Sequence, residues 1–418
     1  MSENNYSSET KTPVTAVLEK VPLSTEEKER LIDEKAKEKV ALRFFVIGIG
    51  NAGNQLVNII DDPNIDVFAV NSSKSDLDNN VVKPNIKSYI IGKEGRGAGK
   101  NRTVGLKCFA YNGKQLLTHP TFTNMCDKAE VIIVSGSTAG GTGSAVAPLM
   151  IKALKIKYPR KIIMYLGVLP RLTDSVQAQK NSIDCLDEIM SYDVPYLLAD
   201  LNYYHDIPND VAYVKIQEYL ANCIYAMKGR YLNKSSFGMI DENDMRTVLA
   251  ETGYLSIYDL KKVSQTDLDQ ESMQHMMIEL IKNSPAAEIM RDGIVKQMAA
   301  IINMPEDMTD SSKASDYTEL ITYIGRPISI FENYAVTNSA NGQMIIILSG
   351  QTTPFNRISE MGNIVQESVQ VLKKKKDFDL DDLTKGFAAE AEIPSFLLDD
   401  HPNTEAKAND LDDFFNNL

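Results

Sequence analysis

Three glycine-rich segments and one pair of acids hold the residues best suited to do chemistry. The first segment, Gly48-Ile49-Gly50-Asn51-Ala52-Gly53-Asn54-Gln55, follows an apolar run and precedes a helical pattern. Glycines at that spacing let a backbone approach a phosphate, and the helix start behind them offers unpaired N–H donors. The second, Gly136-Ser137-Thr138-Ala139-Gly140-Gly141-Thr142-Gly143-Ser144, has the same strand–turn–helix setting. Two such turns on one sheet can converge on a polyphosphate. The third, Gly95-Arg96-Gly97-Ala98-Gly99-Lys100-Asn101, is not a P-loop: Glu94 stands where that motif has glycine, and Asn101 where it has Ser or Thr. Its backbone can still close over a terminal phosphate. Asp241 and Asp244 have the spacing of a helix N-cap and its N3 partner, and equally that of two acids that orient a water. The residues alone leave both readings open.

These groups need a rigid frame. Short apolar runs recur at Phe44–Ile49, Val67–Val70, Tyr89–Ile91, Val131–Val134, Ile162–Val168 and Tyr196–Ala199, with helical or loop segments between them. That alternation predicts a doubly wound α/β fold, a parallel sheet with helices on both faces and ligands at the carboxyl ends of the strands. From Asn209 the spacing of Val211, Val214, Leu220, Ile224 and Met227 predicts a long central helix of about 24 residues, near 36 Å. A smaller α/β unit follows, with the apolar run Met344–Leu348 and Met273, Met276 and Met277 as core fillers. A last helix is expected from Ile358 to Lys374. The expected organisation is an N-terminal tail and helix (1–40, the helix starting at the capping-box spacing Ser24–Glu27), the sheet domain (41–208), the central helix (209–235), the smaller domain (236–352), a C-terminal helix (353–376) and an acidic disordered tail (377–418).

Composition excludes several function classes. The 418 residues suit about two domains, with 43% hydrophobic and 24% charged residues. No apolar stretch is long enough to span a bilayer, and the polar N-terminus lacks a signal core, so a cytoplasmic protein is expected. Cys108, Cys126, Cys185 and Cys223 lie far apart, which predicts buried reduced thiols rather than a zinc site or disulfides. His119, His205, His275 and His401 show neither metal nor triad spacing. Of the net charge of −13, twelve acids against two bases fall between Asp377 and Leu418. An acidic chain does not favour direct contact with nucleic acid. Any anion must therefore be held by local donors.

Taken in order over residues 43–375, the segments resemble the tubulin/FtsZ superfamily of polymerising GTPases. They are most like the tubulin-like cytoskeletal proteins of phages and plasmids (PhuZ/TubZ type), with similarities to archaeal CetZ and to FtsZ. The resemblance implies GTP and GDP as ligands, with Mg²⁺ held through the phosphates and by no side chain directly. It implies phosphate contacts from Gly48, Gly50, Asn51, Ala52, Gly53, Asn54 and Gln55, from Asn71, from Gly97, Ala98 and Gly99, and from Ser137 through Ser144 (Thr138, Ala139, Gly140, Gly141, Thr142, Gly143). Pro170 would lie in the nucleotide site and Asp174 at the ribose, Tyr213 would stack on the base, and Gln217 would bond its edge. Asp241 and Asp244 would enter the nucleotide site of the next subunit. The chain departs from the family pattern at Ala139 and Ala145, which replace glycine, at Ala178, where a second ribose-contacting charge is usual, and at Met239, where Asn is usual.

The function expected on this basis is a head-to-tail filament that hydrolyses GTP between subunits and positions or segregates phage or plasmid DNA. Its partners would be itself and an adaptor docking on residues 391–418 through Phe396, Phe414 and Phe415. An FtsZ- or CetZ-like role in division or cell shape is the alternative. A monomeric NAD(P)-dependent enzyme or a non-catalytic nucleotide-binding regulator stands behind that. The dinucleotide reading needs a ribose-binding acid after the second strand, where the chain has Asn71.

Overall fold

The computed structural model describes residues 42–291, 293–311 and 317–374. The expected helix from Thr25 and the acidic tail from residue 377, with its Phe396, Phe414 and Phe415, lie outside the described residues.

The chain alternates β1 (Phe44–Ile49), α1 (Gly50–Ile59), β2 (Ile65–Asn71), α2 (Lys74–Asn80), β3 (Lys87–Ile90), α3 (Arg102–Leu117), α4 (Pro120–Lys128), β4 (Val131–Ser137), α5 (Gly141–Lys157), β5 (Ile162–Leu169), α6 (Val176–Ser191) and β6 (Pro195–Asp200). All six strands are parallel, in the order β3-β2-β1-β4-β5-β6. Five of these six cover the apolar runs expected from sequence, because strands covered on both faces need apolar side chains on both. Along β1, Phe45, Ile47 and Ile49 enter one core with Phe109, Phe122, Val146 and Cys185. Phe44 and Val46 enter the other with Leu56, Val57 and Ile216. The period of two divides each strand between the two helical layers.

A 3-10 turn (Leu201–Tyr204) leads to α7 (Asn209–Met227). This central helix has 19 residues, shorter than the 24 expected. Lys228 caps it and Gly229 turns the chain at φ +77°, although Leu232 keeps the apolar phase for another turn. Then come α8 (Glu242–Ala250), β7 (Gly253–Val263), α9 (Gln265–Gln270), α10 (Met273–Lys282), β8 (Gln297–Pro305), α11 (Thr318–Ile324), β9 (Ser329–Thr337), β10 (Gly342–Gln351) and α12 (Phe355–Lys374). The C-terminal strands extend the same sheet in the order β6-β7-β10-β8-β9. The seam is narrow: β6 and β7 pair only at Pro195–Gly253 and Tyr196–Tyr254. No helix among the described residues is long and apolar enough to cross a membrane.

Candidate functional site

The strand order reverses between β1 and β4. In such sheets the crevice at the carboxyl ends of the strands on either side of the reversal is where ligands bind. The first two glycine segments sit at that crevice, at the starts of α1 and α5. No side chain caps either helix, and neither has an acid in its first turn. The N–H groups of both first turns thus have no intrahelical acceptor. The two starts are close: Gly50 has φ +69°, and a Cβ placed on it would lie 3.1 Å from the Gly143 nitrogen. Two helix N-termini with open donors converging on one point form a site for a multiply charged anion.

The loops around this point are locked to one another. Gly97 N–H donates to the Ser72 carbonyl (2.9 Å) and Lys74 N–H to the Gly95 carbonyl (2.8 Å). Ser72 Oγ and Thr142 Oγ1 lie 2.6 Å apart, joining the loop after β2 to the first turn of α5. Asn181 Nδ2 donates to the carbonyls of both Lys100 (2.9 Å) and Ala139 (3.0 Å), clamping the third glycine segment to the second. The contact is tight enough that a Cβ on Gly141 would come within 2.8 Å of the Asn101 nitrogen. Gly99 and Gly140, by contrast, face open space.

Several of the residues expected to bind phosphate serve as supports. Gly48 and Gly53 pack backbone to backbone. The buried Asn54 amide donates to the carbonyls of Gly48 (2.9 Å) and Val70 (3.3 Å), and Asn71 Nδ2 donates to Asn54 Oδ1 (2.7 Å). Asn71 is thus committed to the fold, and the acid a dinucleotide site needs at this strand end is missing. Asn51 and Gln55 both bond Asn80 of α2. The Thr138 N–H and hydroxyl both donate to the Val168 carbonyl (3.0 Å each), with Ser182 Oγ 2.9 Å from the hydroxyl. Ser137 Oγ accepts from Ala139 N–H, and the Ser144 hydroxyl donates to the Gly140 carbonyl. Ala52 and Ala98 are buried. What is left is the uncapped first turns of α1 and α5, with Gly99 and Gly140 facing open space.

At the β5 end, Pro170 and Asp174 stand on one loop. Asp174 Oδ2 accepts from Arg171 N–H (2.9 Å), closing the turn. Burial pushes the Tyr213 phenol above its usual range, the Asp174 carboxylate adds to the rise, and Arg171 opposes it. Tyr213, Asp174 and Arg171 are therefore close neighbours. One turn further along α7, Gln217 is 3% exposed, and neither its Nε2 nor its Oε1 has a partner. A buried amide without partners is uncommon and calls for a reason. A purine edge, with donor and acceptor side by side, is a chemically matched one. Sequence reasoning missed Asn181 and the anchors Arg171, Gln179 and Arg357. Gln179 Nε2 holds the Arg171 carbonyl (2.6 Å) and Arg357 holds that of Pro170 (2.6 Å).

Asp241 and Asp244 form a complete capping box at the start of α8: Asp244 N–H donates to Asp241 Oδ1 (2.9 Å) and Asp241 N–H to Asp244 Oδ2 (3.0 Å). Their place in the fold is the more informative fact. Arg246, also on α8, pairs with Glu130 (2.6 Å), the residue just before β4. The glycine segment lies beyond the other end of β4, about 20 Å away along the strand. The acids thus sit at the opposite end of the sheet from the converging helix starts. The loop leading into them exposes Phe237 (61%) and Met239 (72%).

Among the described residues, no cluster of three or more His, Cys, Asp or Glu could hold a metal ion. Burial pushes the thiols of Cys126, Cys185 and Cys223 up to about 12, far from reactive thiolates.

Comparison with known proteins agrees with this geometry. Residues 43–198 match the Tubulin/FtsZ family, GTPase domain. The tubulin-like protein CetZ of Pyrococcus horikoshii is 21% identical over 319 residues, covering 74% of this chain and 86% of its own. The tubulin-like protein TubZ of Clostridium botulinum C phage is 31% identical over 155 residues, covering 37% of this chain and 41% of its own. A GTPγS-bound protofilament of CetZ2 from Haloferax volcanii shares the fold, with a TM-score of 0.64 at 17% identity over 79% of this chain and all of that one. With the strand order, the two open helix starts and the third glycine turn already in place, the match makes residues 43–198 a GTPase domain of the tubulin/FtsZ family.

Proposed function

We propose that this protein is a GTPase that works only as a head-to-tail polymer, each nucleotide lying between two subunits. The observation that carries this reading is the separation of the two halves of the chemistry. The phosphate donors lie at the carboxyl ends of β1 and β4, and the paired acids lie at the far end of the sheet. The length of β4, about 20 Å, separates the two within one subunit. A second copy stacked along the strand axis brings its Asp241 and Asp244 over the first copy's phosphates. The exposed Phe237 and Met239 then gain a partner surface on the way.

In this arrangement each residue has a task. The open N–H groups of α1 and α5 hold the phosphates, and the Gly97–Gly99 turn closes over the terminal one. Asp174 faces the ribose, Tyr213 covers the base and Gln217 reads its edge. The incoming carboxylates orient a water for in-line attack on the terminal phosphorus. Mg²⁺ bound to phosphate oxygens and waters needs no side-chain cage. When bound, the ion supplies neutralisation of the phosphate charge. Loss of the terminal phosphate removes the contact to the third loop and weakens the junction. The cellular role we infer is positioning or segregating phage or plasmid DNA through an adaptor, supported by the identity with the phage TubZ over the nucleotide-binding half. The acidic composition argues for indirect contact with DNA.

The test is phosphate release from GTP across a protein dilution series, with light scattering recorded in parallel. The expected result is release per molecule that starts at a threshold concentration together with scattering. Release that is flat on dilution removes the shared site.

A further inference from the structure

We infer that Arg357, in the first turn of α12, is a positioning residue that joins the C-terminal helix to the nucleotide's ribose loop, so that nucleotide occupancy and the docking of α12 control each other. The inference rests on the reading of the Pro170–Asp174 loop as the ribose side of a guanine-nucleotide site.

Arg357 is 5% exposed and sits between two elements of the site. Its Nε donates to Asp200 Oδ2 (2.6 Å), and its Nη2 donates to Asp200 Oδ1 (3.2 Å) and to the Pro170 carbonyl (2.6 Å). Asp200 is the last residue of β6. Its carboxylate also caps the following 3-10 turn, accepting from Asn202 N–H (2.9 Å), and Asn202 Oδ1 accepts from Leu172 N–H (3.1 Å). Arg171, inside the loop, sends Nη2 to the carbonyls of Tyr204 (2.5 Å) and Ile207 (2.7 Å), just before the start of α7. The five-residue loop is therefore held at Pro170 by α12, at Leu172 by the turn that Arg357 helps to fix, and at Arg171 by the approach to the helix bearing Tyr213 and Gln217.

Two features make this a coupling rather than a simple staple. First, α12 packs on α6 mainly through half-buried side chains, and within Phe355–Val371 only Arg357 and Met361 are buried. Second, the polar shell of the loop is incompletely satisfied. Arg171 Nε and Gln179 Oε1 are buried without a partner, and Arg357 Nη1 makes no hydrogen bond, its nearest acid being Glu360 Oε2 of the same helix at 3.7 Å. Such groups cost free energy in this arrangement, so a modest shift of the loop that pairs them is within reach. A nucleotide that fixes Asp174 selects one position of the Pro170 carbonyl, and Arg357 carries that selection to α12. Linkage makes the effect reciprocal, so loosening α12 must weaken nucleotide binding by the same factor. The segment that responds is the one leading into the acidic tail.

The experiment measures GDP binding by calorimetry for the wild-type chain and for Arg357→Lys, which keeps the charge but cannot hold Asp200 and Pro170 together. Hydrogen exchange of wild-type residues 355–371 is followed with and without saturating GDP. The expected results are affinity roughly tenfold weaker in the variant, a turnover per assembled subunit at saturating GTP within twofold of wild type, and slower exchange of α12 when GDP is bound. A variant that melts earlier but binds GDP as tightly as wild type, or α12 exchange that ignores GDP, overturns the coupling and leaves the nucleotide reading standing. Wild-type protein that binds no GDP overturns both.

Discussion

The capping box at α8 allows a sharp separation of structural from catalytic roles. Asp241 and Asp244 each accept one backbone N–H of the other, and an asparagine oxygen can accept the same bond. Asn and Asp are equivalent as N-caps, whereas Ala costs about 1 kcal/mol. Replacing both acids by Asn therefore keeps the box and forfeits only the charge–dipole term, about 0.3–1 kcal/mol for each. The double variant should lose no more than about 2 kcal/mol, a few degrees of melting temperature for a chain of this size. If the carboxylates orient the attacking water, removing their charge should lower hydrolysis by roughly 10²–10⁴. The assay is phosphate release above the assembly threshold, with sedimentation to count polymerised subunits. The expected outcome is near-normal assembly, very slow release and long-lived filaments. Hydrolysis within threefold of wild type would show that the acids do no more than start the helix. Hydrolysis and assembly lost in proportion would assign them to the contact and not to the water.

Three further outcomes follow from local geometry. Gly141→Ala places a Cβ 2.8 Å from the Asn101 nitrogen and 2.9 Å from Ala98 Cβ, so the third loop must retreat by about 0.6 Å to reach ordinary contact. The unfolded-state entropy gain of about 0.4–1 kcal/mol offsets part of the overpacking, so melting should shift little while GTP affinity falls at least tenfold; unchanged affinity by calorimetry would reject the clamp. Gln217→Met replaces two partnerless buried polar atoms with an apolar chain of similar length, so the nucleotide-free protein should gain about 1–3 kcal/mol while preference for guanine over adenine nucleotides drops; a destabilised variant with intact preference contradicts the base-edge role. The thiols of Cys126, Cys185 and Cys223 are raised from 9.0 to about 12 in the fold, so the unfolded chain releases these protons first. Their stabilisation is complete below pH 9 and is lost between pH 9 and 12, with a slope approaching about 4 kcal/mol per pH unit. Serine at all three positions, followed by denaturant titration across that range, should flatten the slope.

Five of the first six strands were legible because burial on both faces leaves them as apolar runs, whereas the edge strand β3 is exposed or half-buried and starts two residues before the expected run. The glycine segments were legible because close backbone approach permits few other residues. The central helix was read too long because the spacing of Val211 through Met227 carries no mark of its end, which comes at the Gly229 turn. The clamps were not legible. Asn181 reaches Lys100 across 81 residues of sequence and Arg357 reaches Pro170 across 187, with no local pattern marking either. The continuation of the sheet through β7 was equally hidden, since two residue pairs make the seam. Sequence therefore announces the donors, whose requirement is local, and conceals the side chains that aim them.

The distribution of helix caps sharpens the same point. α2, α3, α6, α8, α9 and α10 start at Ser73, Asn101, Ser175, Asp241, Ser264 and Ser272, each accepting a first-turn N–H. Of the uncapped helices with a described N-cap, α4 begins with a proline that removes a donor, and α7 and α11 carry acids in their first turns. Among the helices with a described N-cap, α1 and α5 alone have no cap, no acid and no proline. A chain that can supply a cap by one residue change, worth about 1 kcal/mol each time, has left two helix starts open at the one crevice where the strand order reverses. The stability given up there is recovered when an anion binds the folded form alone. Among the helices with a described N-cap, one rule thus points to the same crevice as the glycine segments, without relying on any single motif.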